Sequence, residues 1–380
     1  MKVLFISQLY PNRYDPMPGL FVRKHAQAVG IYADVAVLYV HPDENIKKME
    51  IANQTSGNVI ETYIYFPADG SKIIKHVRYL MAYAKGFREI RSRWGKPDMI
   101  QSNIFTRTAF IAFLYHLVYR TPYVVIEHWT RYFSEKTFNN KIHRFISTLT
   151  ARHASAVMPV TTHLQRCMEQ HGMYNKNYRV INNVVDNKFF EKLEITTTTE
   201  RIKILNVTCF NDKQKNISGI LKVINKLYKK RTDFEITLVG DGIDFQEMIE
   251  FAREMEIDPG VIKFTGLLEG SELVNVYKQC DFTILFSNYE NIPVVISESL
   301  ACGKPVISTN VGGIAEHIDE SNGILISRGD ESGLFNSIDY MLDNYKKYDA
   351  KAIAAAAEKK YSFKAVGKNI IDIYNEILHS

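Results

Sequence analysis

Two glutamates lie in the part of the sequence that is best suited to bind a ligand and act on it. Glu290 and Glu298 are separated by seven residues, and Pro293 stands between them. Proline suits the first turn of a helix because its missing N–H group would be unpaired there in any case. A helix that begins here, soon after a strand, presents free N–H groups and a partial positive charge, which favour phosphate. A carboxylate beside such a site can accept hydrogen bonds from ribose or sugar hydroxyl groups.

This pattern admits two interpretations. In the first, the stretch Phe286–Ile307 binds a phosphorylated ligand that is rich in hydroxyl groups. In the second, Glu290 is an ordinary loop residue and Glu298 is an exposed residue of a helix that spans Val294–Ala301. One glutamate precedes the helix and the other lies inside it, so the spacing alone does not choose between these interpretations.

Short β-rich runs alternate with helical stretches along the chain. Several runs are continuous in Val, Ile, Leu and Phe, which is typical of strands covered on both faces of a parallel sheet. Repeated strand–helix units predict a doubly wound α/β fold with ligands at the carboxyl ends of its strands. The strands predicted in the first half are Val3–Ile6, Val35–Tyr39, Thr62–Phe66, Met99–Gln101, Tyr123–Ile126, Ala156–Val160 and Arg179–Ile181. Those predicted in the second half are Ile202–Val207, Phe234–Val239, Val261–Thr265, Phe282–Phe286, Pro305–Ser308 and Gly323–Ile326.

The length of the chain predicts two domains, because 380 residues is more than twice the commonest domain size of roughly 100–150 residues. A polar run without periodicity, Thr196–Thr199, lies within the stretch Lys188–Arg201, which we interpret as the linker. We therefore expect one Rossmann-like domain over residues 1–190, a second over residues 191–362, and a ligand cleft between them.

The composition excludes several classes of protein. With 46% hydrophobic and 23% charged residues, the chain is neither disordered, collagen-like nor a coiled coil. The four cysteines are far apart, which argues against a disulfide framework or a zinc site and favours a reducing, cytoplasmic location. The apolar run Val3–Ile6 is shorter than a signal peptide's core, and no segment reaches the roughly 18 apolar residues of a membrane span.

Charge is distributed unevenly along the chain. Residues 1–190 carry 25 basic and 13 acidic side chains, a net charge of +12, while the remainder carries −7. The first half therefore attracts anions. Candidate partners are an anionic membrane surface, a pyrophosphate-bearing substrate or a nucleic acid, but no stacking aromatic motif of a nucleic-acid protein accompanies the basic residues.

The stretch Ser71–Lys96 predicts an amphipathic helix. Its apolar residues recur at helical spacing, and it carries eight basic residues against one acidic residue, Glu89. Such a helix can lie on an anionic bilayer from the cytoplasmic side. Alternatively, its apolar stripe packs against the sheet and its charges are simply solvated.

The stretch Glu290–Ile307 (ENIPVVISESLACGKPVI) resembles the E-x7-E signature of retaining glycosyltransferase family 4. The resemblance covers essentially the whole chain in order, and it implies the GT-B fold of two facing Rossmann-like domains. It also implies that residues 363–380 form a helix that crosses back to the first domain. Further matches to the family lie at Asn183–Asp186, Val239–Gly242, Phe264–Gly266, Val311–Glu316 and Asn322–Leu325.

The resemblance implies a nucleotide-diphosphate sugar as donor, bound mainly by the second domain. By position, Glu298 would hold the ribose hydroxyl groups and Glu290 would face the transferred sugar. The N–H groups at Asn291 and Ile292 would lie near the sugar or diphosphate. The base would be framed by backbone around Gly266 and Leu268, and the close-approach glycines would be Gly312 and Gly313, unless these two form an ordinary turn.

The resemblance also implies cations for the diphosphate. Lys215 matches the family's lysine, and Lys213 is the second candidate because the loop is one residue longer than usual. The family's arginine position is occupied by Cys209, so either another cation is supplied or the diphosphate is bound more weakly. A solvated, lysine-rich loop is the alternative interpretation.

In the first domain, the resemblance points to a histidine and a glycine. His128 follows the strand Tyr123–Ile126, at the position where the family places a histidine that faces the donor sugar; a buried, hydrogen-bonded histidine is the alternative. Gly19, at a helix entrance, resembles the glycine loop near the donor phosphates, although a turn explains it equally well. Trp129 is either a sugar-stacking platform or part of the core.

The function expected from the resemblance is retaining transfer of a hexose or N-acetylhexosamine to a saccharide acceptor in surface-polysaccharide or glycan synthesis. No metal or other cofactor is expected. If the helix at Ser71–Lys96 meets the inner face of the plasma membrane, the acceptor is expected to be lipid-linked. Two alternatives remain open: a sugar-nucleotide epimerase of the same fold, and a non-catalytic protein that binds sugars or polyanions.

Overall fold

The computed structural model describes residues 1–105, 107–134, 140–191 and 201–379. It divides into two compact units, one of Met1–Val184 with Phe363–Ser380 and the other of Val185–Ser362. The division after Val184 falls slightly before the 190/191 boundary taken from the sequence. Within the linker expected at Lys188–Arg201, residues 192–200 lie outside the described residues.

The first unit is built on a largely parallel sheet of seven strands. The strands are β1 (Lys2–Ser7), β2 (Asp34–Asp43), β3 (Glu50–Ser56), β4 (Val59–Pro67), β5 (Met99–Asn103), β6 (Tyr123–Glu127) and β7 (Ala156–Pro159). Their order in the sheet is β3-β4-β2-β1-β5-β6-β7. The helices that connect them are α1 (Leu20–Val29), α2 (Lys72–Arg93), α3 (Arg107–Tyr119), α4 (Lys141–His153) and α5 (Thr162–Gln170).

The central strands of this sheet are covered on both faces, as their continuous apolar runs indicated. Val3, Leu4, Phe5 and Ile6 of β1 are all fully buried. Strand β3 is different: it pairs antiparallel with β4 and is mostly exposed. The sequence analysis missed β3 because its residues are largely polar and carry no apolar pattern.

The strand predicted at Arg179–Ile181 is wrong. These residues lie beside β7 and donate two backbone hydrogen bonds to it, from Arg179 N to Val157 O and from Ile181 N to Pro159 O, each 3.0 Å long. The preceding residue, Tyr178, forms an isolated bridge with Val157, and residues 179–181 belong to no regular strand. The segment therefore lies alongside β7, at the edge of the sheet, without forming a further strand.

The second unit contains a six-stranded parallel sheet. Its strands are β8 (Ile202–Val207), β9 (Phe234–Val239), β10 (Ile262–Gly266), β11 (Phe282–Leu285), β12 (Val306–Thr309) and β13 (Gly323–Ile326). Their order is β10-β9-β8-β11-β12-β13. All six were predicted from the sequence to within one residue at each end. The helices are α6 (Asn187–Phe190), α7 (Asp212–Lys215), α8 (Ile217–Tyr228), α9 (Phe245–Glu254), α10 (Gly270–Gln279), α11 (Val294–Ala301), α12 (Glu331–Asn344) and α13 (Ala350–Tyr361).

The last helix, α14 (Phe363–His379), belongs to the first unit. It packs against α1 and completes the core there, with Val366, Ile370 and Tyr374 buried in the same cluster as Val22 and Ala26. The hydroxyl group of Tyr374 also donates to the side chain of Gln101 in β5. Burial of these apolar side chains makes α14 an integral part of the first unit.

Helices α2, α3 and α4 lie side by side on the first unit. Phe87 of α2 contacts Tyr115 of α3 at a ring-centroid distance of 4.7 Å, and Phe113 of α3 contacts His153 of α4 at 5.3 Å. None of the helices within the described residues combines the length and the apolar character needed to cross a bilayer.

Candidate functional site

Glu290 lies in a loop at the carboxyl end of β11 and is almost completely buried. Its Oε1 atom accepts a hydrogen bond of 2.9 Å from Ser287 Oγ and forms an ion pair with Lys215 Nζ. The Lys215 and Glu290 side chains are only 11% and 7% exposed. Each charge compensates the other in a place where an unpaired charge would be costly. Glu290 therefore lies in a loop, as both interpretations placed it, and it is buried there in an ion pair.

Lys215 reaches Glu290 because two loops are joined by hydrogen bonds from Asn288 to backbone carbonyl groups. Asn288 N donates to Gln214 O over 2.7 Å, and Asn288 Nδ2 donates to Lys213 O over 3.1 Å. These bonds hold α7, at the carboxyl end of β8, against the loop that follows β11. Lys213 itself is exposed. The structure therefore pairs Lys215, and not the second candidate Lys213, with the glutamate.

Gly312 and Gly313 lie in a third loop, which follows β12 and contacts the backbone of the Glu290 loop. Gly312 has φ +59°, and a Cβ atom there would lie 1.9 Å from the carbonyl oxygen of Glu290. Gly313 N donates to Asn291 O over 2.9 Å. From the resemblance, these glycines were expected to allow a close approach of the backbone to the donor. In the structure, they lie close to the backbone of the Glu290 loop. They fix the position of this loop relative to β12.

Asn291 and Ile292, also assigned to the donor from the sequence, are both buried. Pro293 follows them in an extended conformation and caps α11, which spans Val294–Ala301 as the sequence indicated. The side chain of Pro293 itself supplies no capping hydrogen bond at this helix end. The partial positive charge of the helix terminus is thus directed at the loop that carries Glu290.

Glu298 lies inside α11 and is also buried, so the interpretation as an exposed helical glutamate is wrong. Its Oε2 atom accepts a hydrogen bond of 3.3 Å from the hydroxyl group of Tyr277 in α10. Burial and the nearby carboxylate raise the pKa of Tyr277 well above its ordinary value. The phenol therefore remains protonated and acts as a donor to Glu298. The sequence analysis missed Tyr277, because no local motif connects it to a residue 21 positions away.

Three other residues assigned from the sequence lie at the same edge of the sheet. Gly266 ends β10, and its carbonyl oxygen accepts a hydrogen bond of 2.9 Å from Gly240 N. Leu268 follows it and packs on the apolar cluster that includes Tyr277. Cys209, at the position where an arginine was expected, is exposed between β8 and α7. These residues thus lie in loops at the carboxyl ends of β8 and β10.

In the first unit, His128 is held by the residue that precedes it. Glu127 ends β6 and is fully buried. Its Oε1 atom accepts hydrogen bonds from His128 N at 2.8 Å and Trp129 N at 2.9 Å, and its Oε2 atom accepts from Phe105 N and Tyr132 OH, both at 2.9 Å. No role for Glu127 was predicted from the sequence. Its four hydrogen bonds make it the residue that shapes this loop.

The His128 ring is packed against α1. Its centroid lies 4.2 Å from that of Phe21 and 5.6 Å from that of His25. Burial, together with His25, holds the pKa of His128 well below its ordinary value, so the ring is neutral at neutral pH. Half-buried Trp129 has the guanidinium group of Arg131 over its ring at 4.5 Å.

Gly19 lies at the beginning of α1, two residues before Phe21. It has φ +72°, and a Cβ atom there would lie 2.2 Å from the carbonyl oxygen of Leu9. A larger residue would therefore displace the loop that connects β1 to α1. Since Phe21 contacts His128, the structure brings the Gly19 turn and the His128 loop to the same end of the first unit.

The predicted residues thus form two groups. Glu290, Lys215, Asn291, Gly312 and Gly313 converge in one group of the second unit, and His128 lies near Gly19 in the first. Within the described ranges, no group of three or more His, Cys, Asp or Glu side chains is arranged to hold a metal ion.

Two family models match the chain. Residues 57–184 match a model described as "Glycosyl transferase 4-like domain", and residues 187–359 match one described as "Glycosyl transferases group 1". The boundary between the matches coincides with the boundary between the two structural units. The Glu290 loop, Lys215 and Glu298 all fall within the second match.

Sequence relatives agree with these models. The chain is 27% identical over 169 residues to N-acetyl-alpha-D-glucosaminyl L-malate synthase of Bacillus anthracis, a match that covers 42% of this chain and 43% of that protein. It is 24% identical over 238 residues to N-acetylgalactosamine-N,N'-diacetylbacillosaminyl-diphospho-undecaprenol 4-alpha-N-acetylgalactosaminyltransferase of Campylobacter jejuni, covering 60% of this chain and 63% of that protein. The chain thus matches less than two thirds of the length of either relative.

The fold resembles that of a solved protein over its whole length. The structure of HepE (Alr3699) from Anabaena in complex with UDP superposes with a TM-score of 0.74, covering 99% of this chain and 100% of that one at 17% sequence identity. At this identity the likeness shows the fold alone. The predicted GT-B fold, with two Rossmann-like α/β domains, is confirmed.

Proposed function

Since this chain joins a glycosyl transferase 4-like domain to a glycosyl transferases group 1 domain on a GT-B fold, we propose that it is a retaining glycosyltransferase. It transfers a hexose or N-acetylhexosamine from a nucleotide-diphosphate sugar to a saccharide acceptor, in the synthesis of a surface polysaccharide or related glycan.

The observation that carries this proposal is the buried ion pair between Lys215 and Glu290 beside the N-terminus of α11. A carboxylate that is held in place can accept hydrogen bonds from the hydroxyl groups of the transferred sugar. The adjacent ammonium group and the helix terminus can stabilise the charge of a diphosphate. Glu298 is expected to hold the ribose of the nucleotide.

In the proposed reaction, the bond between the anomeric carbon and the phosphate oxygen breaks, and negative charge develops on the leaving diphosphate. The acceptor oxygen forms its bond to the same carbon from the same face, and the acceptor proton passes to the departing phosphate oxygen. No side chain then acts as a nucleophile. Lys215 and the N–H groups near Asn291 would stabilise the leaving group, which is the largest catalytic effect expected here. His128, as a neutral ring, can exchange hydrogen bonds with the donor sugar without adding charge.

Both relatives support transfer of an N-acetylhexosamine, because the name of each contains an N-acetylated amino sugar. The name of the Campylobacter enzyme describes an acceptor carried on diphospho-undecaprenol. We therefore propose a lipid-linked acceptor, with the first unit resting on an anionic membrane.

The surface of α2 to α4 supports this membrane contact. The first half of α2 does not pack on the sheet: Ile73, Val77 and Met81 are 77%, 50% and 59% exposed. The alternative interpretation, in which the apolar stripe packs against the sheet, therefore holds only for the second half of the helix, where Ile90 is buried. Further exposed apolar residues of this α2–α4 face are Leu117, Val118, Ile142 and Phe145. Exposed basic residues accompany them, namely Lys72, Lys75, Lys85, Arg88, Arg120, Lys141 and Arg144.

A ligand panel tests the proposed donor. The melting temperature of the chain is measured with UDP-, GDP- and ADP-sugars, for the wild type, for Glu298→Ala and for a control, Glu250→Ala, which removes an exposed glutamate of α9. A ligand that binds only the folded state adds about 2.7 kcal/mol of stability at a hundredfold excess over its dissociation constant. We expect stabilisation by one nucleotide family, lost in Glu298→Ala and kept in Glu250→Ala.

Turnover measurements with the donor that stabilises the chain separate the alternatives. Cys209 at the expected arginine position favours a non-catalytic protein, which would bind a donor but never release free nucleotide diphosphate in the presence of an acceptor. An epimerase would convert the donor without any acceptor. Absence of stabilisation by every donor contradicts the proposal.

A further inference from the structure

The carboxyl ends of β2 and β4 carry a group of aromatic side chains that the proposed donor site does not use. The two strands pair in parallel, with Tyr39 opposite Tyr63 and His41 opposite Tyr65. Residues two apart in a strand share a face, so these four rings lie on one face of the sheet. Ligands of doubly wound sheets bind at this edge, beyond the carboxyl ends of the strands.

The rings are grouped around His41. Its centroid lies 5.7 Å from that of Tyr39, 6.2 Å from that of Tyr65 and 6.2 Å from that of Tyr14, which comes from the loop between β1 and α1. Tyr39 and Tyr65 are buried, whereas His41 is half-buried and Tyr14 is 51% exposed. The cluster therefore offers an aromatic surface to solvent, supported from below by buried rings.

Planar polar groups border this surface. The Arg13 guanidinium lies over the Tyr65 ring at 3.9 Å and forms ion pairs with Asp43 and with Glu50, the latter at 2.8 Å. The Tyr14 hydroxyl group donates to Asp43, whose side chain is completely buried. Two carboxylates thus compensate the charge of Arg13. Although the first half of the chain is strongly basic, this edge is balanced in charge and offers no excess charge to a phosphate.

The loop that carries Tyr14 is held in place by hydrogen bonds in the absence of any ligand. The Tyr10 hydroxyl group donates to the buried carboxylate of Glu61 over 2.5 Å, and Arg23 Nε of α1 donates to the same carboxylate over 3.0 Å. These bonds join both the loop and α1 to Glu61 of β4. A surface that is already ordered loses less conformational entropy on binding.

We propose that Tyr14 and His41, supported by the buried side chains of Tyr65 and Asp43 and bordered by Arg13, bind a neutral sugar ring of the acceptor. The exposed aromatic surface of Tyr14 and His41 contacts the C–H groups of a pyranose ring, and the partly exposed Arg13 guanidinium group donates hydrogen bonds to its hydroxyl groups. This inference rests on the proposed function, which requires a saccharide acceptor, and it assigns one of that acceptor's sugar rings to these residues.

Saturation-transfer NMR on the full chain tests the proposal with methyl glycosides of glucose, galactose, mannose and N-acetylglucosamine as probes. We expect transfer to at least one glycoside in the wild type, reduced about fivefold or more in Tyr14→Ala because the exposed ring face is lost. Tyr14→Phe keeps the ring and is expected to retain the signal. Tyr174→Ala, which removes another tyrosine of the first unit that is 61% exposed, is the control and is expected to behave as the wild type.

Equal transfer in the wild type and in Tyr14→Ala overturns the proposal, and so does the absence of transfer to every glycoside in the wild type. The melting temperatures with nucleotide sugars are measured on the same samples. If a donor still stabilises the chain while no glycoside binds, the sugar-ring site fails and the proposed function stands. If neither binds, the proposed function fails as well.

Discussion

At the scale of single residues, the phenol of Tyr277 holds one of the two glutamates of the candidate site. Its hydroxyl group contacts both Glu298 Oε2 and Val295 O at 3.3 Å, and the ring is buried under α11. A hydrogen bond to a carboxylate is stronger than one between neutral groups. Tyr277 is therefore a positioning residue, which restricts the orientation of Glu298 before any ligand binds.

We predict that Tyr277→Phe weakens donor binding about tenfold, because a hydrogen bond to a charged group contributes about 1.5 kcal/mol. The fold is expected to remain, since the ring is retained. Tyr228→Phe is the matched control: it removes a 2.6 Å hydrogen bond from a tyrosine to Asp258 elsewhere in the same unit. Donor dissociation constants are measured by calorimetry. Equal loss of affinity in both variants would show that the effect is not specific to Glu298.

His25 gives the first unit a pH dependence. The ring is fully buried, and its Nε2 atom lies 3.0 Å from Asn182 O, which makes it the donor of a hydrogen bond to that carbonyl group. Burial lowers the pKa of His25 to about 4. In the unfolded chain the pKa of His25 is about 6.5. As the pH falls, His25 therefore binds a proton at a higher pH in the unfolded chain than in the folded protein.

We predict that the free energy of unfolding decreases as the pH falls from about 6.5 to about 4, by up to about 1.4 kcal/mol per pH unit from this group. His25→Gln removes the titrating ring and is expected to make the dependence shallower, although burial of His317 contributes in the same direction. His76→Gln, at an exposed histidine of α2, serves as the control. Urea unfolding at several pH values measures the slope, and identical slopes for wild type and His25→Gln contradict the assignment.

At the scale of secondary-structure elements, the candidate site depends on loops that follow β8, β11 and β12 and are bound to one another. The turn at Gly312 contributes no functional group, yet it sets the distance between the β12 loop and the backbone of Glu290. A change there should alter the site without altering any side chain of the Glu290 loop.

We predict that Gly312→Ala lowers donor affinity by tenfold or more, because its Cβ atom would collide with Glu290 O. The control is Gly329→Ala, which has the same kind of positive φ (+71°) but open space around the new atom. That variant is expected to lose about 1 kcal/mol of stability from backbone strain alone and to keep its donor affinity. Thermal shifts with and without donor separate the two effects, and equal behaviour of the variants refutes this role of Gly312.

The sequence predicted secondary-structure elements more accurately than contacts between residues that are distant in the chain. Strands of the second unit were found because both faces are buried and their apolar runs are continuous. Strand β3 was not predicted because it is exposed and has no apolar pattern. It is stabilised by pairing with β4, which the local sequence does not indicate. In the site, the positions of Glu290 and Glu298 were visible as a motif. Lys215 was named from the sequence, but its pairing with Glu290, 75 positions away, is a feature of the fold, and so is the contact of Tyr277 with Glu298, 21 positions away.

At the scale of the whole molecule, charge and exposed apolar surface coincide on the α2–α4 face. Each basic residue near an anionic bilayer contributes about 1 kcal/mol of attraction. Exposed apolar side chains add binding energy only if they enter the boundary of the bilayer. The electrostatic and the apolar contribution can be separated by varying the lipid composition of the vesicles and the salt concentration.

We predict that the chain sediments with vesicles containing phosphatidylglycerol, that neutral phosphatidylcholine vesicles bind it poorly, and that high salt weakens the attraction. The triple variant Ile73→Ser, Val77→Ser and Met81→Ser is expected to bind about tenfold less, since it removes apolar surface without changing charge. Ile243→Ser, at an 84% exposed position of the second unit, is the control. Binding that is unaffected by the triple variant contradicts a role for this face.

The place of α14 in the fold has a consequence for how the protein is made. The second unit is inserted into the first, and its two ends are held together by a hydrogen bond of 2.9 Å from Val185 N to Tyr361 O. On the ribosome, most of the first unit is synthesised before the second, but it lacks α14 until residues 363–379 emerge. The apolar surface around Val22 and Ala26 therefore stays uncovered throughout translation of the second unit. Chains that terminate early would carry a complete second unit beside an unfinished first one, and would be targets for chaperones and aggregation.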